Sequence, residues 1–259
     1  MKTLNAQIKE VRVQEIGKEY LKKTDYVGFA VQLFRKYGWK AIYKQFRFEV
    51  ARPFSKGLIK KYAPDGIGIE IGVGKHTIAP MSRTVLTDAY LEHAADKTSA
   101  KFFCRGDEIP FADETFAFVF SEHMLEHTAN PIKVLLEWKR ILKRGGTLFL
   151  FLPHKERTFD RNRPRTTLQH HIDDYEGNVS SYDQTHLNEW MEMVINRGLA
   201  PHYAKYTPEV MIKNGLIHHH VWITEDMLAL VKHMSLEVLF SLDEVPDRRD
   251  SFVIVARKP

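Results

Sequence analysis

Apolar positions along this chain fall into short runs, each closed by a glycine or an acidic residue. The first two are Ile67-Gly68-Ile69-Glu70-Ile71-Gly72 and Thr84-Val85-Leu86-Thr87-Asp88. Runs of this length, bounded by turn residues, read as buried strands that feed tight turns. The same pattern predicts strands near 101–104, 116–121, 147–152, 236–242 and 251–257. Helical spacing predicts helices near 77–82, 91–98, 130–143, 184–197 and 224–233. Strand–helix alternation implies right-handed crossovers and a parallel sheet with helices on both faces. The short link Asp243–Asp247 makes the last strand antiparallel. The fold class is therefore α/β, with seven mostly parallel strands.

Chemistry collects at the carboxyl ends of these strands, where open α/β sheets bind ligands. Gly72 and Gly74 let the backbone turn sharply and let a ligand approach it. Asp88, at the tip of the second strand, is placed to hold ribose hydroxyls, and Asp107 and Ser121 lie at two further strand ends.

Two segments interrupt this rhythm. Residues 1–64 carry 15 Lys/Arg against 5 Asp/Glu, although the whole chain is only +5. Within them, residues 26–62 interleave aromatic and basic side chains, which predicts one or two amphipathic helices. Such a basic helical extension reads as a lid with a solvated basic face, or as a surface approaching anionic lipid headgroups. No nucleic-acid motif accompanies the charge, so nucleic acid is not the expected partner. Residues 65–259 form the main domain, within which 153–222 is too long for a plain connection and predicts a cap over the ligand face.

Composition excludes some classes. No apolar run approaches the ~20 residues that a membrane-spanning helix needs, and Met1–Asn5 shows no secretory signal. The single cysteine, Cys104, has no partner for an internal disulfide and reads as a strand residue in a reducing compartment. The expected location is the cytoplasm, with the 26–62 surface allowing contact with the inner face of the membrane.

The stretch from Gly106-Asp107-Glu108-Ile109-Pro110-Phe111 through Asp113-Glu114-Thr115-Phe116 continues into Ser121-Glu122-His123-Met124-Leu125-Glu126-His127. Asn130-Pro131 and Leu142-Lys143-Arg144-Gly145-Gly146 follow. In this order and spacing, after the glycine loop and Asp88, the text resembles the class I S-adenosylmethionine-dependent methyltransferases of type 11 over residues 66–153. The resemblance implies a Rossmann-like sheet and S-adenosylmethionine as cofactor, with S-adenosylhomocysteine as product. It implies that Glu70, Gly72 and Gly74 hold the methionine part and Asp88 the ribose, with Asp107 and Glu108 against the adenine and Ser121 facing the methionine group. His76 stands where the family has a third glycine, so either the loop sits differently or His76 faces the pocket. Arg144 and Ala117 replace a usual proline and aspartate. More loosely, Asp160-Arg161 with Arg163-Pro164 and the later His-Val-Trp resemble methyltransferases of bacterial surface-polysaccharide clusters. That implies a small or glycan-related acceptor.

Methylating a hydroxyl requires its proton to leave, which a histidine or carboxylate base assists. Ten of the 13 histidines fall between His123 and His220. His127, His154 and His171 are the candidate bases; Arg161, Arg163, His170, His218 and His220 are candidate acceptor contacts. Histidine and carboxylate together suit divalent metals, but the spacing of His170, His171, Asp173, Asp174, His218 and His220 matches no compact ligand motif, and no metal is expected. The expected activity is O-methylation of a small or glycan-related acceptor. The alternatives are an RNA methyltransferase and a non-catalytic cofactor-binding or assembly subunit.

Overall fold

A computed structural model describes residues 51–93 and 96–259. Most of the basic N-terminal stretch, including 26–50 of the expected amphipathic segment, lies outside the described residues. The remainder of that segment contains helix α1 (Pro53–Tyr62), which proline starts at a position where no amide donor is needed.

Seven strands form one sheet: β1 (Gly68–Ile71), β2 (Thr84–Asp88), β3 (Phe102–Phe103), β4 (Phe116–Glu122), β5 (Leu142–Pro153), β6 (Glu237–Leu242) and β7 (Ser251–Arg257). Their spatial order is β3-β2-β1-β4-β5-β7-β6. The first five run parallel, and β7 runs antiparallel between β5 and β6. The order reverses between β1 and β4, which opens a crevice at their carboxyl ends.

Alternation of side chains along the strands builds a core on each face. Ile69, Ile71, Val119, Leu148, Leu150, Leu152 and Ile254 meet Leu135 and Trp138 of α2 (Pro131–Ile141) on one side. Met227 and Leu230 of α6 (Thr224–His233) complete that layer. On the other face Phe118, Phe120, Phe149, Phe151, Val253 and Val255 meet Leu58 and Ile59 of α1. Gly68 makes room for this second layer: a Cβ there would lie 2.1–2.4 Å from three atoms of the Phe118 ring.

Between β5 and α6 the chain makes α3 (Leu168–Glu176), α4 (Gln184–Trp190) and α5 (Pro208–Lys213), with α4 running on as one π-helical stretch, Met191–Ile195. Leu187, Trp190, Val194, Tyr203, Met211 and Ile217 give this insertion its own small core.

Two expected helices are absent. Residues 77–82 carry only the 3₁₀ turn Met81–Arg83, because Pro80 removes a donor and constrains the residue before it. The expected helix 91–98 is replaced by two-residue antiparallel strands, Glu92–His93 and Asp96–Lys97. Thr98 and Ser99 then anchor to the glycine loop, with Ser99 N–H donating to the Gly74 carbonyl at 2.6 Å. None of the helices among the described residues is long and apolar enough to cross a membrane.

Two outcomes test this packing. Gly68→Ala should cost about 1–3 kcal/mol, the range for overpacking a filled core. A Gly68→Ala/Phe118→Leu double variant should recover part of that loss in urea melts. Burial pushes the Cys104 thiol up to about 11 from 9.0. Its thiolate fraction at pH 8 then falls about 100-fold, so iodoacetamide should modify the native chain correspondingly more slowly than the unfolded one.

Candidate functional site

The crevice holds a cavity of about 480 Å³, lined by Gly72, Gly74, Asp88, Tyr90, Arg105 and Asp107, and also by His123, His127, Thr128, Asn130 and the link Asn178–Tyr182. Its size is within the range of small-molecule sites, roughly 300–1,000 Å³.

The glycine loop is shaped by the end of β2. The N–H groups of Gly72 and Val73 both donate to the Thr87 carbonyl at 3.0 Å. Gly72 and Gly74 have φ of 76° and 55°, in the region that favours glycine. A Cβ on Gly72 would lie 2.4 Å from Met124 Cγ, so Met124 packs directly on the loop. A Cβ on Gly74 would meet nothing within 4 Å, which leaves the backbone open toward the cavity. Asp88 binds the loop together: one carboxylate oxygen accepts from Gly74 N at 3.0 Å and Thr98 Oγ1 at 3.2 Å, the other from Tyr90 N at 3.1 Å. An open glycine backbone, a strand-end carboxylate with a spare lone pair and an adjoining aromatic ring fit the amino-acid and nucleoside parts of S-adenosylmethionine.

The expected cofactor residues are not all in that cavity. Gly72, Gly74, Asp88 and Asp107 line it. Asp107 is paired with Arg105 at 2.9 Å and Lys133 at 3.0 Å; these partners draw its carboxyl below the usual range despite the opposing effect of burial. Glu70 is buried behind the loop, hydrogen-bonded by Thr77, and burial raises its carboxyl well above the usual range. Ser121 donates to the Ile71 carbonyl at 3.2 Å, Glu108 is exposed, and neither they nor His76 line the cavity.

The 3₁₀ turn Leu125–His127 follows β4. Both nitrogens of His123 are engaged: Arg248 donates to Nδ1 at 3.2 Å and Nε2 contacts Ser251 Oγ at 2.6 Å. Burial first, and then Arg248, hold its imidazole well below the usual value. His127 Nδ1 donates to the Ile217 carbonyl at 2.9 Å, which fixes its tautomer, while Nε2 lies 3.9 Å from Glu126 Oε1. Glu126 is fully buried, and neither carboxylate oxygen has a hydrogen-bond partner. Burial pushes its carboxyl up to about 7.

The other expected acceptor residues are placed elsewhere. His218 stacks edge-on against His127, with ring centroids 4.7 Å apart, and its Nδ1 meets Asp160 Oδ2 at 2.6 Å. Arg163 is buried and spends its guanidinium on Asp160, Glu189 and the carbonyls of His218 and His219. Arg161 is exposed. His154 contacts Asp243, and His171 accepts from the Trp222 indole at 2.8 Å; neither lines the cavity. His170 and His220 form a separate group with Asp174 and His186. Sequence reasoning missed Tyr90, Arg105, Lys133, Thr98 and the 178–182 link, because each acquires its place only through tertiary contacts. The Asn130 side chain caps α2, as an Asn-Pro start does, and that was a signal available in the sequence.

Residues 77–150 match the family model described as a methyltransferase domain. An uncharacterized protein of Methanocaldococcus jannaschii is 38% identical over 96 residues, which cover 36% of this chain and 47% of that protein. The matched stretch thus spans about half the length of that relative. A Pyrococcus horikoshii protein of solved structure superposes with a TM-score of 0.51 at 12% identity, over 88% of this chain and 99% of its own, a likeness of fold alone. A Thermotoga maritima S-adenosylmethionine-dependent methyltransferase gives 0.48 at 18% identity, with coverage of 88% and 99%. The domain match over residues 77–150, the strand order and the glycine loop closed by Asp88 agree with one another: this part of the chain matches a methyltransferase domain on a Rossmann-like sheet.

Proposed function

We propose that the protein methylates a hydroxyl of a small, glycan-related acceptor, with His127 as the base and Glu126 as its charge partner. The observation that carries this reading is the arrangement of those two residues beside the cavity that Asp88 also lines. His127 lines the cavity with its proton held on Nδ1, and Glu126 sits buried beside Nε2.

The bound cofactor supplies an electrophilic methyl group; the chain's own residues position the acceptor and accept its proton. Asp88 and the Gly72–Gly74 backbone hold the nucleoside and amino-acid ends, and Met124 packs between the loop and the histidine turn. Thr128, Asn178, Ser180, Ser181 and Tyr182 present hydroxyl and amide groups, which suit an acceptor carrying several hydroxyls. His127 Nε2 accepts the acceptor's proton, and the imidazolium so formed is stabilised by the Glu126 carboxylate across 3.9 Å in a water-poor setting.

The direct test offers isotopically labelled S-adenosylmethionine with a panel of glycosides and sugar nucleotides. Label in an alkali-stable methyl ether supports the reading, and label only in amines or RNA contradicts it. Asp88→Asn should weaken S-adenosylhomocysteine binding by about 10-fold or more, as loss of a charge-assisted hydrogen bond does, with His127→Asn leaving that binding unchanged in calorimetry. His127→Asn should lower kcat by roughly 10²–10⁴.

The raised carboxyl of Glu126, about 7 against 4.5, fixes the sign of two pH effects. Activity should rise with pH through about 7 as the carboxylate forms, and Glu126→Gln should lower kcat and lose that limb. Because the folded-state value is the higher, this group favours folding below about 4.5 and loses that contribution as pH rises to 7. Glu126→Gln should therefore gain in Tm relative to the parent between pH 5 and pH 8.

A further inference from the structure

Behind the cavity wall, three imidazoles converge on one carboxylate oxygen. His170 Nε2 lies 3.2 Å from Asp174 Oδ2, His220 Nε2 3.5 Å and His186 Nε2 3.7 Å. The four candidate ligand atoms all lie within 4.8 Å of one another. The rings are steeply inclined, with interplanar angles of 74–79° among His170, His186 and His220, so their nitrogens point inward rather than their faces stacking. Asp174 Oδ2 is buried and has no hydrogen-bond partner of ordinary geometry, even with three nitrogens beside it.

A hydrogen-bonded histidine cluster would distribute its nitrogens over separate acceptors, since one oxygen offers only two lone pairs. A metal ion has the opposite requirement. With metal–nitrogen and metal–oxygen bonds of about 2.0–2.1 Å, tetrahedral coordination places ligand atoms ~3.3 Å apart. The three contacts to Asp174 Oδ2 bracket that edge length. Three imidazoles and one carboxylate are a donor set for zinc or a similar first-row divalent ion. The buried side, His186, His220 and Asp174, encloses the site, and half-exposed His170 leaves a path from solvent. One adjustment is required: His220 Nε2 also lies 3.2 Å from the Ala129 carbonyl, a contact that metal binding would replace.

We propose that His170, Asp174, His186 and His220 form a structural zinc site that fixes the wall of the acceptor cavity. Four protein ligands close the coordination shell, as in structural rather than catalytic sites. The ligands come from α3, from α4 and from the run before Trp222, three segments that only the fold brings together. The link between α3 and α4 is the cavity-lining stretch Asn178–Tyr182. Asn130, also on the cavity, donates to the Asp174 carbonyl at 3.1 Å. An ion here thus cross-links both ends of that link to the run before Trp222. The proposal is independent of which acceptor is methylated.

The test uses full-length protein without an affinity tag, stripped with chelator and titrated with zinc alone. One equivalent per chain should be retained through gel filtration, Tm should rise, and protease cleavage within 178–182 should slow. Cobalt in place of zinc should give the intense visible bands of four-coordinate cobalt. His170→Gln and Asp174→Asn, which keep size and polarity, should weaken zinc binding by at least the roughly 10- to 100-fold that loss of a supporting group costs. His170→Gln, altering a half-exposed residue, keeps the test open if Asp174→Asn does not fold. Absence of stoichiometric zinc, or zinc bound equally well by the folded His170→Gln variant, would overturn the proposal. So would zinc lost on His127→Asn instead, which would place it on Glu126, His127 and His218.

Discussion

The guanidinium of Arg163 is the constraint on which the histidine-rich wall of the cavity depends. It is fully buried, and its donors are spent on Glu189 at 2.7 Å, Asp160 at 3.0 Å and the carbonyls of His218 and His219 at 2.8 and 3.1 Å. A buried cation is tolerated only when its partners replace the lost water, and removing one partner of such a pair typically costs about 3–5 kcal/mol. Here the partners are the backbone carbonyls of the histidine run itself. Arg163 thereby sets the register of residues 218–220 against the sheet, and the N–H of His219 closes the attachment by donating to the Glu126 carbonyl at 2.7 Å.

That register divides the histidines between two tasks. His218 turns toward His127 and Glu126 at the cavity, and His220 turns toward Asp174, His170 and His186 on the far side. One short extended run thus packs against the His127–Glu126 pair on one side and a ligand-like cluster on the other. The sheet contributes the fixed end of the site: Asp88 and the glycine loop sit on strand ends whose neighbouring side chains are close-packed in both cores. The insertion has a smaller core of its own and contributes the polar link Asn178–Tyr182 to the cavity wall.

The strand-end half of this arrangement was legible in the sequence because it is local. Strand runs, a glycine pair and an acidic residue at the next strand tip are close in the chain, and the Gly106–His127 motif fixes their spacing. All seven strands and the antiparallel last strand follow from that pattern. Residues 77–82 and 91–98 have some helical spacing, but Pro80 and the pull of Thr98 on the Asp88–Gly74 contact decide their structure. The acceptor half was not legible for a related reason. An arginine in a charged loop reads as a solvated hand for an anion, and only the fold shows Arg163 facing inward. His170, Asp174, His186 and His220 have no compact spacing because they meet from three segments.

The central claim is that one cavity places a cofactor on Asp88 and an acceptor against His127. A crystal structure of the full chain with S-adenosylhomocysteine tests it most directly. The account predicts ribose hydroxyls on the Asp88 carboxylate, the amino-acid end on the Gly72–Gly74 backbone, and the sulfur facing the space in front of His127. A nucleoside bound away from Asp88, or a sulfur separated from His127 by packed side chains, would contradict it.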